Sequence, residues 1–410
     1  MMISRRFFLF FIPFLSFIVL SGCGRSEEVW RYDLGETLKV QTVPLTIPEQ
    51  GLVVTWKVLI TKDETAEGRY VIPRVQRIKP GIALELEQKR FKAVLVALKE
   101  ENGEVSWETE PLGESDQNLS SPVYNGGSVF VGSDNGRVYE IDASTGEVLW
   151  SADTGGWVTA APLATDRFIA VGNENGRLVC WSREDKKVLF EKHFPGGFRD
   201  SLSLTPYGFF GASGNTLFLL DERGALLKSW KSDDKYIDYD GIEKKSAPIT
   251  SPLFVEGSTA LFATRGDYLH LFDIAAWEDK LRVYEAGLTP ARPVFFGDTI
   301  AAGTEAGVAL FDRITGEKKS ELITDHRWMD FDLKFRKGGA VNGGFLLHEG
   351  ILYFGSYDYA LYGYDTATFE RRFKFAIKHH IDRTAPAMGS KYLIFGADSH
   401  HLYAVRPYEP

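Results

Sequence analysis

An all-β fold is predicted for this 410-residue chain by three observations. One cassette recurs at roughly 40–50 residues, its apolar stretches alternate with a period of two, and no stretch of helical length carries a 3.6-residue period. The clearest copy runs Ser121-Pro122, then Val129-Phe130-Val131-Gly132, a turn Ser133-Asp134-Asn135-Gly136, then Val138 to Asp142, Thr145-Gly146-Glu147 and Leu149-Trp150. Anchors for the first stretch fall at Pro122, Pro162, near Leu202, Pro252, Pro293, near Gly344, and Pro386. Small residues end the second stretch in the same phase: Gly132, Gly172, Ala212, Ala263, Gly303, Gly355 and Gly396. A degraded eighth copy precedes them, with Pro73 as anchor, Ile82 to Leu86, Phe91 to Leu98, Asn102-Gly103-Glu104 and Trp107.

Each cassette holds four short β-type stretches split by Gly, Asn and Asp, the residues that turns with positive φ require. Four-stranded antiparallel units at this period predict an eight-bladed β-propeller over residues 51–410; HEAT and armadillo arrays of similar period are helical. The last cassette stops at Leu402 to Arg406 without a fourth strand, and an orphan strand, Leu52 to Leu59, precedes the first. Pairing the two is expected to close the ring with an N-terminal strand and remove its open edges. Residues 23–50, polar and carrying Pro44 and Pro48, are expected to be a tether with one short strand.

Composition narrows the function. With 44% hydrophobic and 25% charged residues, 29 Phe, 17 Tyr and 9 Trp, the chain has the means to fold. Its net charge of −9 argues against non-specific nucleic-acid binding, which needs surplus Lys and Arg. Two cysteines exclude a disulfide scaffold and any four-cysteine metal site.

At the N-terminus, Arg5 and Arg6 precede an apolar run from Phe7 to Leu20, interrupted only by Pro13 and Ser16 and followed by Ser21-Gly22-Cys23. This is the layout of an export signal over residues 1–22, and the run is shorter than the ~20 residues of a spanning helix. Its end resembles the lipobox of bacterial lipoproteins, which implies removal of 1–22 and lipid on Cys23. Gly24, where an Asp would retain the protein at the inner membrane, implies an outer-membrane, periplasm-facing lipoprotein. Ser4 to Leu9 also resembles a twin-arginine motif, although so apolar a run fits the general secretory route better.

Glu140 to Trp150 resembles the tryptophan-docking repeat of quinoprotein (PQQ-type) propellers, with partial copies at Lys99 to Trp107, Asp312 to Glu317 and Asp365 to Phe369. The resemblance implies docking aromatics between blades: Trp107, Trp150 and Trp230, with Phe190, Phe373 and Tyr284 in their place elsewhere. Trp56 is expected to join them from the closing strand. A lipoprotein carrying this propeller resembles the BamB family of outer-membrane β-barrel assembly scaffolds. That implies a non-catalytic protein, monomeric within a complex, without cofactor, whose partner is a barrel-assembly or other periplasmic protein. The alternative is a PQQ-type cofactor-binding protein or dehydrogenase. Those enzymes use a vicinal cysteine pair beside the quinone, and Cys180 alone is left once Cys23 carries lipid.

Partners are expected on the face formed by the connections between blades, where aromatics and arginine gather: Trp157, Phe198, Arg199, Tyr236, Tyr239, Trp328 and Phe331. Two of those connections, 231–249 and 321–343, are enlarged. His379, His380, His400 and His401 are the only candidates for a metal site, and solvated loops are the expected reading of them.

Overall fold

The structure, a computed structural model, describes residues 27–34, 44–62, 89–112, 119–325, 327–329, 335–381 and 384–408. Eight four-stranded antiparallel sheets form the blades of a propeller. Blade 1 comprises Leu45–Ile47, Leu52–Lys62, Lys89–Lys99 and Val105–Glu108. Blades 2 to 7 occupy residues 123–153, 163–193, 203–231, 254–284, 294–323 and 345–376. The inner strand of each starts one or two residues after its anchor, as Val123 follows Pro122 and Val294 follows Pro293. Proline cannot donate into a ladder, so it stands just outside the strand.

Blade 8 contains Ala387–Met388, Leu393–Ala397 and His401–Val405, and its fourth strand is Glu28–Asp33. Trp30 lies opposite Ala404, and Asp33 opposite His401. An N-terminal strand therefore does close the ring, but it is not Leu52 to Leu59. That segment belongs to the second strand of blade 1, where Val54 faces Leu45 on one side and Ala97 on the other. The misplacement has a cause in the sequence: residues 63–88 intervene between the second and third strands of blade 1, which breaks the repeat. Pro73 and Ile82 to Leu86 lie outside the described residues, and the true anchor of blade 1 is Pro44. Glu28–Asp33 and Leu45–Ile47 thus fall within 23–50, and each is a strand of a blade.

The blades are joined by one repeated contact. In seven blades the turn between the third and fourth strands holds one residue at positive φ: Gly103, Gly146, Lys186, Gly224, Trp277, Gly316 and Phe369. Its N–H donates back to the end of the third strand, as from Gly146 to the Asp142 carbonyl at 2.9 Å. An aromatic from the fourth strand of the preceding blade lies on this turn at Gly103 (Trp30), Gly146 (Trp107), Lys186 (Trp150) and Gly224 (Phe190). At Gly316 Leu281 and Val283 take its place, the expected Tyr284 being 60% exposed and packed on Tyr268 of its own blade, and the strand before Phe369, Lys318–Ile323, carries no aromatic. Trp107 donates its indole N–H to the Ala143 carbonyl at 2.9 Å, and its ring covers Gly146 so closely that a Cβ there would sit 2.7 Å from it. Only glycine satisfies both the backbone angle and the docked ring. Trp150 meets Trp181 edge-on at 5.6 Å beneath the Lys186 ammonium, and Trp230 packs against Phe262 and Phe272. Trp56 lies on the second strand of blade 1 rather than on a fourth strand, and its side chain lies outside the described residues.

Trp30 makes the docking contact at the seam. Its indole donates to the Glu100 carbonyl at 2.7 Å and covers Gly103. The buried Glu100 carboxylate accepts from the Ser390 N–H and hydroxyl, each at 2.9 Å, and from the Lys391 N–H at 2.8 Å. One residue of blade 1 thereby grips both ends of the polypeptide in blade 8. Trp30→Ala is expected to lower the unfolding free energy by about 3–5 kcal/mol, the usual loss for a buried large aromatic. Chemical denaturation at neutral pH measures it, and a loss under about 1 kcal/mol would refute a working seam.

Candidate docking face

The connections that leave each fourth strand cross back over the turn between the second and third strands of the same blade. Here the glycines that end the second strands find their use. Val158 donates its N–H to the Ser133 carbonyl at 3.0 Å and fills the space beside Gly132; Phe198 does the same on Asn173 at 3.0 Å beside Gly172. Val341 and Ile381 repeat the hydrogen bond on Thr304 and Ser356. All four side chains are buried, so each connection is pinned by one apolar plug.

This pinning sorts the expected partner residues. Phe198 is fully buried against Phe194 and Phe218 and cannot touch a partner; it is a plug rather than a docking residue. Trp157, one residue before the plug Val158, is 62% exposed, and Arg199, one residue after Phe198, is also exposed. At these two plugs alternation thus presents Trp157 and Arg199 outward. Tyr236 and Tyr239 lie on a two-stranded hairpin, Lys235–Ile237 paired with Glu243–Lys245, that fills one enlarged connection. Tyr239 is 93% exposed, with the Arg265 guanidinium 4.1 Å above its ring and 5.3 Å above that of Tyr236. The other enlarged connection also forms a hairpin, Arg327–Met329 with Phe335–Lys337. Trp328 is on its first strand with its side chain outside the described residues, and Phe331 is itself outside them.

Beneath the first hairpin lies a group of charges that pattern reading missed. Asp234, the residue before the hairpin, is fully buried and collects a donor from each of three strands of blade 5. Thr264 donates its hydroxyl at 2.6 Å from the second strand, His270 its Nε2 side at 2.8 Å from the third, and Arg282 forms an ion pair from the fourth. His270 is also fully buried, and Asp279 lies 2.8 Å from its Nδ1. A second missed group is Asp200, whose carboxylate accepts the Leu253 N–H at 2.6 Å. Burial pushes its carboxyl up to about 6, against the opposing N–H bonds and Arg292. Lone acidic residues in loops carry no periodic signal, so neither group could be found from spacing.

The four candidate histidines do not converge. The His380 ring stacks on Tyr357 and Tyr359 at 3.6 and 4.5 Å and meets the Tyr357 carbonyl through Nδ1. His401 is turned to the Ser399 carbonyl at 2.6 Å, and His379 is exposed. Among the described residues no three His, Cys, Asp or Glu side chains gather as a metal site. Cys180 sits in the third strand of blade 3, its thiol pushed up to about 12 by desolvation. Cys23 lies outside the described residues.

Comparison with known proteins follows the same line. The model of the family described as outer membrane protein assembly factor BamB matches residues 92–169 and 163–409. The BamB of Yersinia pestis is 30% identical over 106 residues, 25% of this chain and 26% of that protein. The BamB of Nitrosomonas eutropha is 27% identical over 90 residues, 22% of each chain. These alignments span about a quarter of the length of either relative. The crystal structure of BamB from Moraxella catarrhalis superposes with a TM-score of 0.59 at 15% identity, covering 77% of this chain and 88% of that one. A quinohemoprotein alcohol dehydrogenase from Comamonas testosteroni gives 0.65 at 12% identity, covering 93% of this chain and 76% of that one. Identities this low show the propeller fold alone. The family match, by contrast, runs from blade 1 to blade 8: the chain belongs to the outer membrane protein assembly factor BamB family.

Proposed function

We propose that this protein is a non-catalytic scaffold, lipid-anchored at Cys23 after removal of residues 1–22, that docks a protein partner in outer-membrane protein assembly from the periplasmic side. The observation that carries the reading is the connection face. Trp157 and Tyr239 project from connections that plugs and a hairpin hold rigid, and the Arg265 guanidinium backs the tyrosine. Pre-ordered aromatics with arginine suit protein recognition because little side-chain entropy is lost on docking. Membership of the BamB family supports the same role. The acidic protein has no surplus of positive charge with which to lean on anionic lipid, so the anchor does the tethering.

Replacing Trp157 and Tyr239 together by Ala is expected to cut photo-crosslinking to the partner in intact outer membranes at least tenfold. The same substitutions should leave stability within about 0.5 kcal/mol per site, as for exposed positions generally. Phe198→Ala should instead cost about 3–5 kcal/mol as a core cavity. Undiminished crosslinking by the folded double variant would refute the docking face. Cys23→Ser is expected to abolish palmitate labelling and release the protein from membranes; retention on washed membranes would contradict the anchor. Titration with the quinone and calcium is expected to give no saturable absorbance change, and a stoichiometric one would turn the reading toward a quinoprotein.

A further inference from the structure

His270 has two ring nitrogens and a carboxylate 2.8 Å from each, Asp234 on one side and Asp279 on the other. An ionised carboxylate only accepts, so both nitrogens must carry hydrogen. The ring is therefore an imidazolium, and charge balance agrees: with Arg282 paired to Asp234, two cations meet two anions about a ring and an Asp234 carboxylate that are both fully buried. A neutral ring would leave one buried nitrogen lone pair facing a carboxylate, with one negative charge in excess. The remaining neighbours of the ring are Phe262, stacked at 4.9 Å, Trp230 edge-on at 5.7 Å and Tyr268 at 6.5 Å. Asp233 lies beyond, on the far side of Arg282.

The location of this imidazolium matters more than its existence. Asp234 immediately precedes the hairpin strand Lys235–Ile237, and its carbonyl accepts the Ala247 N–H at 3.0 Å where the chain leaves the hairpin. The base of the hairpin is thus closed by the residue whose side chain His270 holds. Lys235 abuts Gly266, and Arg265 beside it carries the two tyrosine rings, so blade 5 grips the hairpin through this corner and the Asp234 carboxylate.

We propose that His270 is the positioning residue of the docking face, an imidazolium at neutral pH that fixes the hairpin 235–245 on blade 5 through Asp234. The consequence for partner docking rests on the scaffold reading above; the clamp itself does not. Burial alone would lower the pKa of His270, but the hydrogen bonds and charges of Asp234 and Asp279 outweigh it and leave a net rise. A raised folded pKa means that the stabilisation is complete below the unfolded value of ~6.5 and is lost as pH climbs through the folded one. Burial likewise opposes ionisation of Asp234, yet the bonds from His270 and Thr264 hold its carboxyl below the ordinary range, so the acid side of the clamp fails only when pH falls through that depressed value.

Nitrogen NMR of the full-length protein is expected to show two protonated ring nitrogens on His270 at pH 7. Hydrogen exchange, corrected for its intrinsic pH dependence, should show 235–247 losing at least tenfold in protection at the alkaline pH where the second proton leaves, while strand Thr259–Thr264 keeps its own. His270→Gln should expose 235–247 to the same degree at pH 7 and abolish the pH dependence. If that variant does not fold, Asp279→Asn serves instead: loss of one flanking charge should move the midpoint to lower pH. A neutral ring at pH 7, unchanged protection in His270→Gln, or an unmoved midpoint in Asp279→Asn would each overturn the clamp. Crosslinking from position 239 in the same variants separates the two readings. A loosened hairpin with undiminished crosslinking keeps the clamp and removes the docking face.

Discussion

The structure depends on one contact made at the seam and repeated through the first blades, the aromatic that a blade lays on the turn of the next. A β-blade is a twisted sheet with two free edges and two faces, and by itself it buries too little to stand. Docking a ring across the gap and tying its N–H to a backbone carbonyl makes neighbouring blades rigid against each other. Because the blades form a circle, the contact must also be made at the seam, where the polypeptide begins and ends. There Trp30 repeats what Trp107 does, and the buried Glu100 carboxylate adds bonds to the first turn of blade 8. Were the seam to open, it would expose strand edges on both sides, so closure is where stability is concentrated.

Much of this was legible in the residues, and what was not has physical causes. The anchors at Pro122, Pro162, Pro252 and Pro293 mark strand starts because proline belongs outside a ladder. Gly132 and Gly172 mark the places where a plug fills the room of a Cβ. Both signals repeat, and repetition separates them from chance. Blade 1 lacks that support, since residues 63–88 separate its second and third strands in sequence, and the closing strand is only six residues long and lies far from its partner in sequence. A short strand paired across the whole chain has no local signature. Its tryptophan was the one available clue.

The face that carries function follows from the same scaffold. One buried plug pins each of four connections, and beside Val158 and Phe198 the adjacent Trp157 and Arg199 are turned outward. That explains why Phe198 is inside and Arg199 outside, although the two are adjacent and looked equally suited to a partner. Composition suggested aromatics for recognition, but only packing separates Trp157, presented to solvent, from Phe198, spent on the core. The ionic corner at Asp234 and His270 adds a second kind of rigidity. It orders a hairpin that has little apolar burial of its own.

Closure of the ring by the strand next to the N-terminus is the claim on which the rest stands, and a cysteine pair tests it directly. Asp33 and His401 lie opposite each other across the seam, within the reach of a disulfide if the pairing is right. In a Cys180→Ser background, Asp33→Cys with His401→Cys is expected to form an intramolecular disulfide on mild oxidation and to resist unfolding more than the reduced protein. No crosslink at that pair, with efficient crosslinking of His401→Cys to a cysteine at Val54 instead, would contradict the seam.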